Sequence, residues 1–463
     1  MRNSALNPFA ALLFVLASGV AAFSLAVGSS EGQEPEQPTG LELRQDSGED
    51  VVVVLEGEAR KRIALAFPTA TSEGSLSNSA SAAARELEET LRQDLESTRV
   101  FDIQGPGALS VLRLSGDPSR DLEQYRSLGN EILLLAKVRQ RGDRLVFEGR
   151  LLALNNGESV LGKRYEGTFD VARTIAHTFA DEVVLYLVGR RGIARTSIAF
   201  ASDRSGHKEI YLMDYDGENQ RRITAHQSIT MAPAWNRQSS SLVYLSFLGG
   251  VPGIYRVDLA SGKKRVVLND GEHNLSPSYS ADGKKVAFSR SLAGNTEVFT
   301  SRLDGSGLRR LTHSGAIDTN PVWSPSGQHI AFTSSRNGNP NIFVMDSDGS
   351  NIRRISFDGN YNDGASWNPE GTRIAYASRR DGVFQLVVTD VVTLETEVLT
   401  SGSRNKEEPT FSPDGQRIAF TAHGRRGSQI YLLDLDGNVL KQLTAKGNNS
   451  GASWSPYPSR KGR

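Results

Sequence analysis

From about residue 196 onward, short apolar runs recur along the chain at one fixed spacing, with polar and turn-forming residues between them. The triplet Ile330-Ala-Phe has counterparts beginning at Ile198, Leu242, Val286, Ile374 and Ile418, successive members lying 44 residues apart. Three further landmarks keep the same register. An opening aromatic falls at Trp235, Tyr279, Trp323, Trp367, Phe411 and Trp454, where only the last step is 43. An aspartate of the third segment falls at Asp214, Asp258, Asp346, Asp390 and Asp434, with Arg302 in the gap, and a closing apolar residue falls at Ile223, Val267, Leu311, Ile355, Leu399 and Leu443. Apolar and polar positions alternate within each segment, which predicts four short strands per unit, and a period of this length predicts a β-propeller.

Turn chemistry agrees. Pro325 with Gly327, Pro369 with Gly371 and Pro413 with Gly415 suit the first turn, and Asp-Gly pairs at Asp216, Asp304, Asp348 and Asp436 suit the turn between strands three and four. The phase of the repeat predicts how the ring closes. The first unit begins at Ile198 without an opening strand, and Gly451-Ala-Ser-Trp-Ser-Pro is an opening strand without followers. Six blades are therefore expected, one of them combining residues 197–224 with an innermost strand from the C-terminal tail, so that no long edge stays unpaired. All four tryptophans occupy the first-strand slot, where a large side chain fills a recurring site between sheets.

Upstream the period is absent. Residues 1–28 hold Arg2 as their only charge, an apolar run from Pro8 to Val27, and small residues at Ala21, Ala22, Ala26 and Gly28, the pattern of a secretory signal; an uncleaved anchor is the rival. Residues 29–50 are polar and acidic, as in a flexible tether. Residues 51–189 read as an α/β domain. Strands are expected at Val51–Leu55, Arg62–Phe67, Val100–Ile103, Glu131–Val138, Leu145–Asn155 and Val160–Gly167, with helices at Ser79–Ser97, Asp121–Leu128 and Phe169–Val188. The propeller then spans 190–463.

Composition changes the picture mainly by exclusion. Among 463 residues, 53 are basic, 53 acidic and none is cysteine, so the fold is held without disulfides and has neither a thiol nucleophile nor a cysteine metal site. The Arg-Arg pairs beginning at Arg221, Arg309, Arg353, Arg379 and Arg425 are spread around the ring, which fits a solvated surface rather than a nucleic-acid stripe. No H-E-x-x-H, G-x-x-x-x-G-K-[ST] or G-x-G-x-x-G pattern occurs, and the G-x-S-x-G match at Gly28 to Gly32 lacks the strand and helix of a nucleophile elbow. The Asp214 to Gly217 and Asp346 to Gly349 turns miss the glycine and glutamate positions of a calcium loop. No catalytic residue, metal or cofactor is expected. His226, His273 and His313 lie in loops between blades, where a metal-binding propeller lyase would carry its ligands, so that alternative stays open.

The first-unit segment Thr196-Ser-Ile-Ala-Phe, the Ser-Pro-Asp-Gly-like turns and the ending Ala452-Ser-Trp-Ser-Pro-Tyr457 resemble the TolB family, periplasmic propeller proteins of the bacterial Tol-Pal system. The resemblance covers nearly the whole chain from Val51 onward. It implies a scaffold without enzymatic activity that supports outer-membrane integrity and cell division. It further implies docking of the lipoprotein Pal at the mouth of the propeller channel, contact of the mature N-terminal segment with a TolA-like inner-membrane protein, and no membrane span after signal cleavage. By the same resemblance the mouth is lined by the loops leading into each first strand: His273 and Asn274; Asp318, Thr319 and Asn320; Tyr361, Asn362 and Asp363; Lys406 and Glu407; Asn448 and Asn449. Read without the resemblance, these are polar loop residues that keep turns solvated. Two stretches depart from the family: the acidic tether, and the arginine-rich turn His423-Gly-Arg-Arg-Gly427. The competing readings are the propeller gate of a prolyl-oligopeptidase-like hydrolase, which needs a hydrolase domain that this chain, ending at Arg463, has no room for, and a carbohydrate-binding or lyase propeller of the cell envelope.

Overall fold

The computed structural model describes residues 62–458 apart from 116, 118, 119, 293 and 426. The expected signal, tether and strand at Val51–Leu55 lie outside the described residues. The first domain runs β1 (Ile63–Ala66), β2 (Thr71–Ser72), α1 (Asn78–Ser97), β3 (Phe101–Gln104), α2 (Pro106–Leu109), α3 (Leu122–Ser127), β4 (Ile132–Arg141), β5 (Arg144–Ala153), β6 (Ser159–Thr168) and α4 (Ala172–Val188). Its sheet has the order β3-β1-β4-β5-β6, with β2 beside β4; the pairs among β1, β3 and β4 that involve β1 are parallel, and β4-β5-β6 is an antiparallel meander. Helix α1 begins where the Ser77 hydroxyl accepts the Ala80 N–H at 3.2 Å, and the four-residue spacing of Ala83, Leu87, Leu91 and Leu95 puts all four on its buried face. The helix expected at Phe169–Val188 opens instead with one 3-10 turn, Phe169–Val171. β2 and α2, too short to leave a periodic trace, were not expected from the sequence.

The ring consists of six four-stranded antiparallel sheets. Blade one is closed as the phase of the repeat required: Asn449–Trp454 pairs antiparallel with Ser197–Ser202, Trp454 opposite Ile198 and Asn449 opposite Ser202. The tryptophans do more than fill space. Trp235 Nε1 donates to Ser453 O at 2.9 Å and Trp367 Nε1 to Val322 O at 3.2 Å, so each indole joins its blade to the preceding inner strand. Trp454, 6% exposed, donates through Nε1 to Thr196 Oγ1 at 2.9 Å and through its backbone to Thr410 Oγ1 at 3.2 Å. A second repeated device lies outside these landmarks. The hydroxyls of Thr224, Thr312, Ser356, Thr400 and Thr444 each accept the backbone N–H of strand three, at Ile210, Val298, Ile342, Leu386 and Ile430, over 2.8 to 2.9 Å. Blade two alone carries Leu268 at that position.

The α/β domain packs against the end of the ring that carries the Asp-Gly turns. There Asp94 of α1 is 2% exposed and accepts from Tyr215 Oη at 2.9 Å, while its other oxygen lies 2.7 Å from His177 Nδ1 of α4. His177 Nε2 is 3.6 Å from Asp214 Oδ2, Arg173 reaches Asp216 at 2.7 Å, and Arg99 pairs with Asp434 of blade six. Burial opposes a charge on His177, but hydrogen bonds to Asp214 and Asp94 outweigh it and lift its pKa to about 9.

Two outcomes follow from these contacts. Trp454→Ala is expected to destabilise the chain by ~3–5 kcal/mol through the cavity it leaves, and removal of residues 451–463 by more, because Ser197–Ser202 then becomes an open edge. Thermal unfolding by circular dichroism decides this: a truncated chain that melts at the wild-type temperature would detach the tail from the ring. The His177 contribution, with its folded pKa raised to about 9, is fully present below an unfolded pKa of roughly 6.5 and is lost as pH rises through 9. The melting temperature should therefore fall across that window in wild type and fall less steeply in His177→Gln; equal slopes would mean that the imidazole is not charged in the native fold.

Candidate partner-binding site

The opposite end of the ring is formed by the loops leading into each innermost strand and by the hairpin tips between strands two and three. Every innermost strand carries one bulge, at 231–234, 275–278, 319–322, 363–366, 407–410 and 450–453. Ala232, Ser276, Asn320, Gly364, Glu408 and Gly451 take positive φ values between 47° and 72° at these points. A bulge re-aims side chains, and here it turns consecutive residues toward the central channel. A belt of hydrogen bonds then links neighbouring strands: Ser276 Oγ donates to Asn320 Oδ1 at 2.6 Å, and Asn320 Nδ2 to Asp363 Oδ1 at 2.7 Å. Asp363 Oδ1 also accepts from Thr333 Oγ1 at 2.6 Å and Gly364 N at 2.7 Å, while Glu408 Oε2 accepts from Gly451 N at 2.6 Å.

The twelve residues expected at the mouth separate into two groups. Thr319, Asn320, Asp363 and Glu407 are half-buried along the channel, His273 and Asn448 are exposed, and the Tyr361 ring stands edge-on to Phe384 with centroids 5.4 Å apart. Lys406 is half-buried and gives its ammonium to Ser401 O at 2.8 Å and Gln385 Oε1 at 3.1 Å; burial draws its pKa below the usual lysine range. Asn274, Asp318, Asn362 and Asn449 differ from the expectation: each is 0% exposed. Each is the first or second residue of its strand, where the side chain points into the seam between sheets instead of the mouth. Asn449 accepts from Arg204 at 2.9 Å and donates to Gln429 at 2.8 Å; Asp318 holds Arg336 at 3.0 Å, and burial raises its pKa. These four position the mouth from beneath.

Apolar groups stand at the same end as well. Ile229, Ile317 and Phe357, each directly before an inner strand or in the loop leading to it, are 50%, 56% and 56% exposed. Their sequence signal was available, an apolar residue inside an otherwise polar loop, but single exposed apolar residues are ordinary until the fold brings them to one end. Of the loop histidines, His226 is packed against Tyr244, Nε2 to Oη 3.0 Å, and among the described residues no group of three or more His, Asp or Glu is arranged to hold a metal.

A closed six-bladed propeller with an α/β domain on one end and an open, hydrogen-bonded channel mouth on the other defines the class of molecule. Residues 185–458 match the TolB beta propeller domain, and the chain belongs to that family. It is 37% identical over 165 residues to the Tol-Pal system protein TolB of Syntrophotalea carbinolica, an alignment covering 35% of this chain and 38% of that protein. It is 32% identical over 205 residues to the protein TolB homolog of Chlorobium luteolum, covering 44% and 46%. The chain thus aligns with less than half the length of these curated relatives. The crystal structure of TolB from Acinetobacter baumannii superposes with a TM-score of 0.72 at 22% identity, over 86% of this chain and 97% of that one, a likeness of fold.

The hydrogen-bond belt and the exposed residues should respond differently to truncation. Asp363→Ala strands three donors and is expected to lower stability by ~1–3 kcal/mol, whereas His273→Ala should stay within about 0.5 kcal/mol of wild type. Denaturant unfolding measures both; equal effects would show that the belt does not brace the channel.

Proposed function

We propose that this chain is an exported, periplasmic scaffold of a Tol-Pal system that works by binding, not catalysis, and docks the lipoprotein Pal at the channel mouth. One observation carries the reading: the α/β domain occupies one end of the ring, and the other end presents Ile229, Ile317, Phe357 and the Tyr361 ring around a polar channel. Aromatic and apolar anchors within a polar rim are what a protein interface requires. The names of the curated relatives support the system, and the apolar run from Pro8 to Val27 supports export. No helix among the described residues is long and apolar enough to cross a membrane. Within the mouth, His273, Thr319, Asn320, Tyr361, Asp363, Lys406, Glu407 and Asn448 supply the contacts, and Asn274, Asp318, Asn362 and Asn449 hold the loops in place. The acidic N-terminal segment at 29–50 is the contact for a TolA-like protein.

Calorimetric titration of the mature chain with the soluble domain of its cognate Pal tests this. His273→Ala and Tyr361→Ala should each weaken binding by ~1–3 kcal/mol with the fold intact by circular dichroism. Deleting residues 29–50 should leave Pal affinity unchanged and abolish capture of the TolA-like domain. Unaltered Pal affinity in both point variants would move the interface off this face.

A further inference from the structure

Beside the mouth, over blade six, lies an open cleft of about 1100 Å³ that meets the proposed Pal contacts only at Asn448. Its wall is the hairpin of Arg417–Gly424 and Gly427–Asp434, eight residues each as in blades three and five, against six for the matching strands of blades one, two and four. The tip of this hairpin is arginine-rich, with Arg425 between Gly424 and Gly427. Its shape is held by backbone. Gly427 has φ +104°, and a Cβ there would fall 1.9 Å from Asn448 Oδ1, so glycine alone lets the hairpin tip meet the following loop. On the other side Asn405 accepts from Phe384 N at 3.1 Å and from His423 N at 3.0 Å, tying the preceding loop to two hairpins.

The free chemistry of the cleft is cationic. Arg404 and Arg425 line it, are exposed, and have no ion-pair partner among the described residues. The bordering carboxylates are already engaged, Glu407 with His423 Nε2 at 2.9 Å and Asp203 with Asn448 Nδ2 at 2.7 Å. The side-chain amides of Gln429 and Gln442 are likewise committed, donating to Gly447 O at 2.8 Å and Thr444 O at 2.7 Å. Apart from Ala445 and the Tyr431 ring, which is backed by Phe420, the lining residues are polar or glycine. That lining has no pocket for the apolar anchors of a protein partner. Guanidinium forks match carboxylates, and an aromatic ring flanked by such forks offers a platform to the apolar face of a sugar.

We propose that this cleft binds an acidic oligosaccharide, Arg404 and Arg425 holding carboxylates and Tyr431 supporting a sugar ring. The test is calorimetric titration of the mature chain, at fixed salt, with three probes: hexagalacturonate, neutral cellohexaose and a hexaglutamate peptide. Hexagalacturonate alone should bind, and Arg404→Glu and Arg425→Glu, both at exposed positions, should weaken it at least about tenfold with unchanged circular dichroism. Tyr431→Leu, which keeps an apolar side chain against Phe420, should also weaken it. Equal binding of hexaglutamate would assign the cleft to an acidic peptide, and equal binding of cellohexaose to a neutral glycan. Either result, absence of hexagalacturonate binding, or affinity indifferent to both arginine changes overturns the proposal.

Discussion

A ring of blades cannot persist as an open arc, because each end would expose the apolar face of a sheet and the unpaired edge of a strand. Here both are removed by one pairing, Asn449–Trp454 against Ser197–Ser202, made between segments about 250 residues apart in sequence. Closing so long a loop costs configurational entropy that grows slowly with its length, and the contacts at the seam offset it: a buried indole, the hydrogen bonds from the Trp454 Nε1 and backbone N–H, and a strand ladder. The same seam carries the domain boundary, since Thr196 accepts the Trp454 indole proton while Asp181 of α4 accepts the backbone N–H groups of Ala194 and Arg195 at 2.8 and 3.2 Å. Closure of the ring and seating of the α/β domain therefore share residues.

This sharing gives the two ends of the ring different work. At the end beneath the α/β domain, charges are buried in pairs, Asp94 with His177 and Arg173 with Asp216, and the exposed Arg99 reaches Asp434 beside them. Such pairs specify one arrangement more than they stabilise it, because desolvation cancels much of their attraction. At the other end Thr319, Asn320, Asp363 and Glu407 are half-buried along the channel and His273 and Asn448 are exposed, where a partner can reach them. The proposed Pal site and the cleft over blade six both lie at that end and meet at Asn448.

Much of this was legible in the sequence for a physical reason. Alternating apolar residues recur in all six units and Asp-Gly turns in four of them, and both are local signals; Gly217, Gly305, Gly349 and Gly437 all take the positive φ that their turns need. The C-terminal closure was legible because it is a matter of phase. What escaped depends on contacts between distant residues. Asn274, Asp318, Asn362 and Asn449 looked like surface polar residues, and only the pairing of strands reveals that the first positions of the strand point into the seam. The Thr224 class of buried hydroxyls was hidden likewise, since a threonine after a closing apolar residue reads as a loop. Asp94 and His177 are 83 positions apart, and no local pattern joins them.

Blade two shows what the repeat demands of each copy. It lacks the hydroxyl that braces strand three elsewhere, having Leu268 in its place and Gly253 where other blades carry an acid or amide. The space is filled by rings: His226 stacks on Tyr244 at 5.8 Å, Tyr244 on Tyr255 at 6.1 Å, and the Tyr244 hydroxyl meets His226 Nε2 at 3.0 Å. Tyr244 stands where blades one, three, four and six place Phe200, Phe288, Phe332 and Phe420. The hydroxyl that distinguishes it would be an unpaired polar group in the core without His226. Two residues 18 positions apart thus make sense only together, and a loop histidine that resembled a candidate metal ligand is accounted for by packing and one hydrogen bond. The repeat fixes the volume and the hydrogen-bond satisfaction of each slot; the chemistry that fills it is free to change from blade to blade.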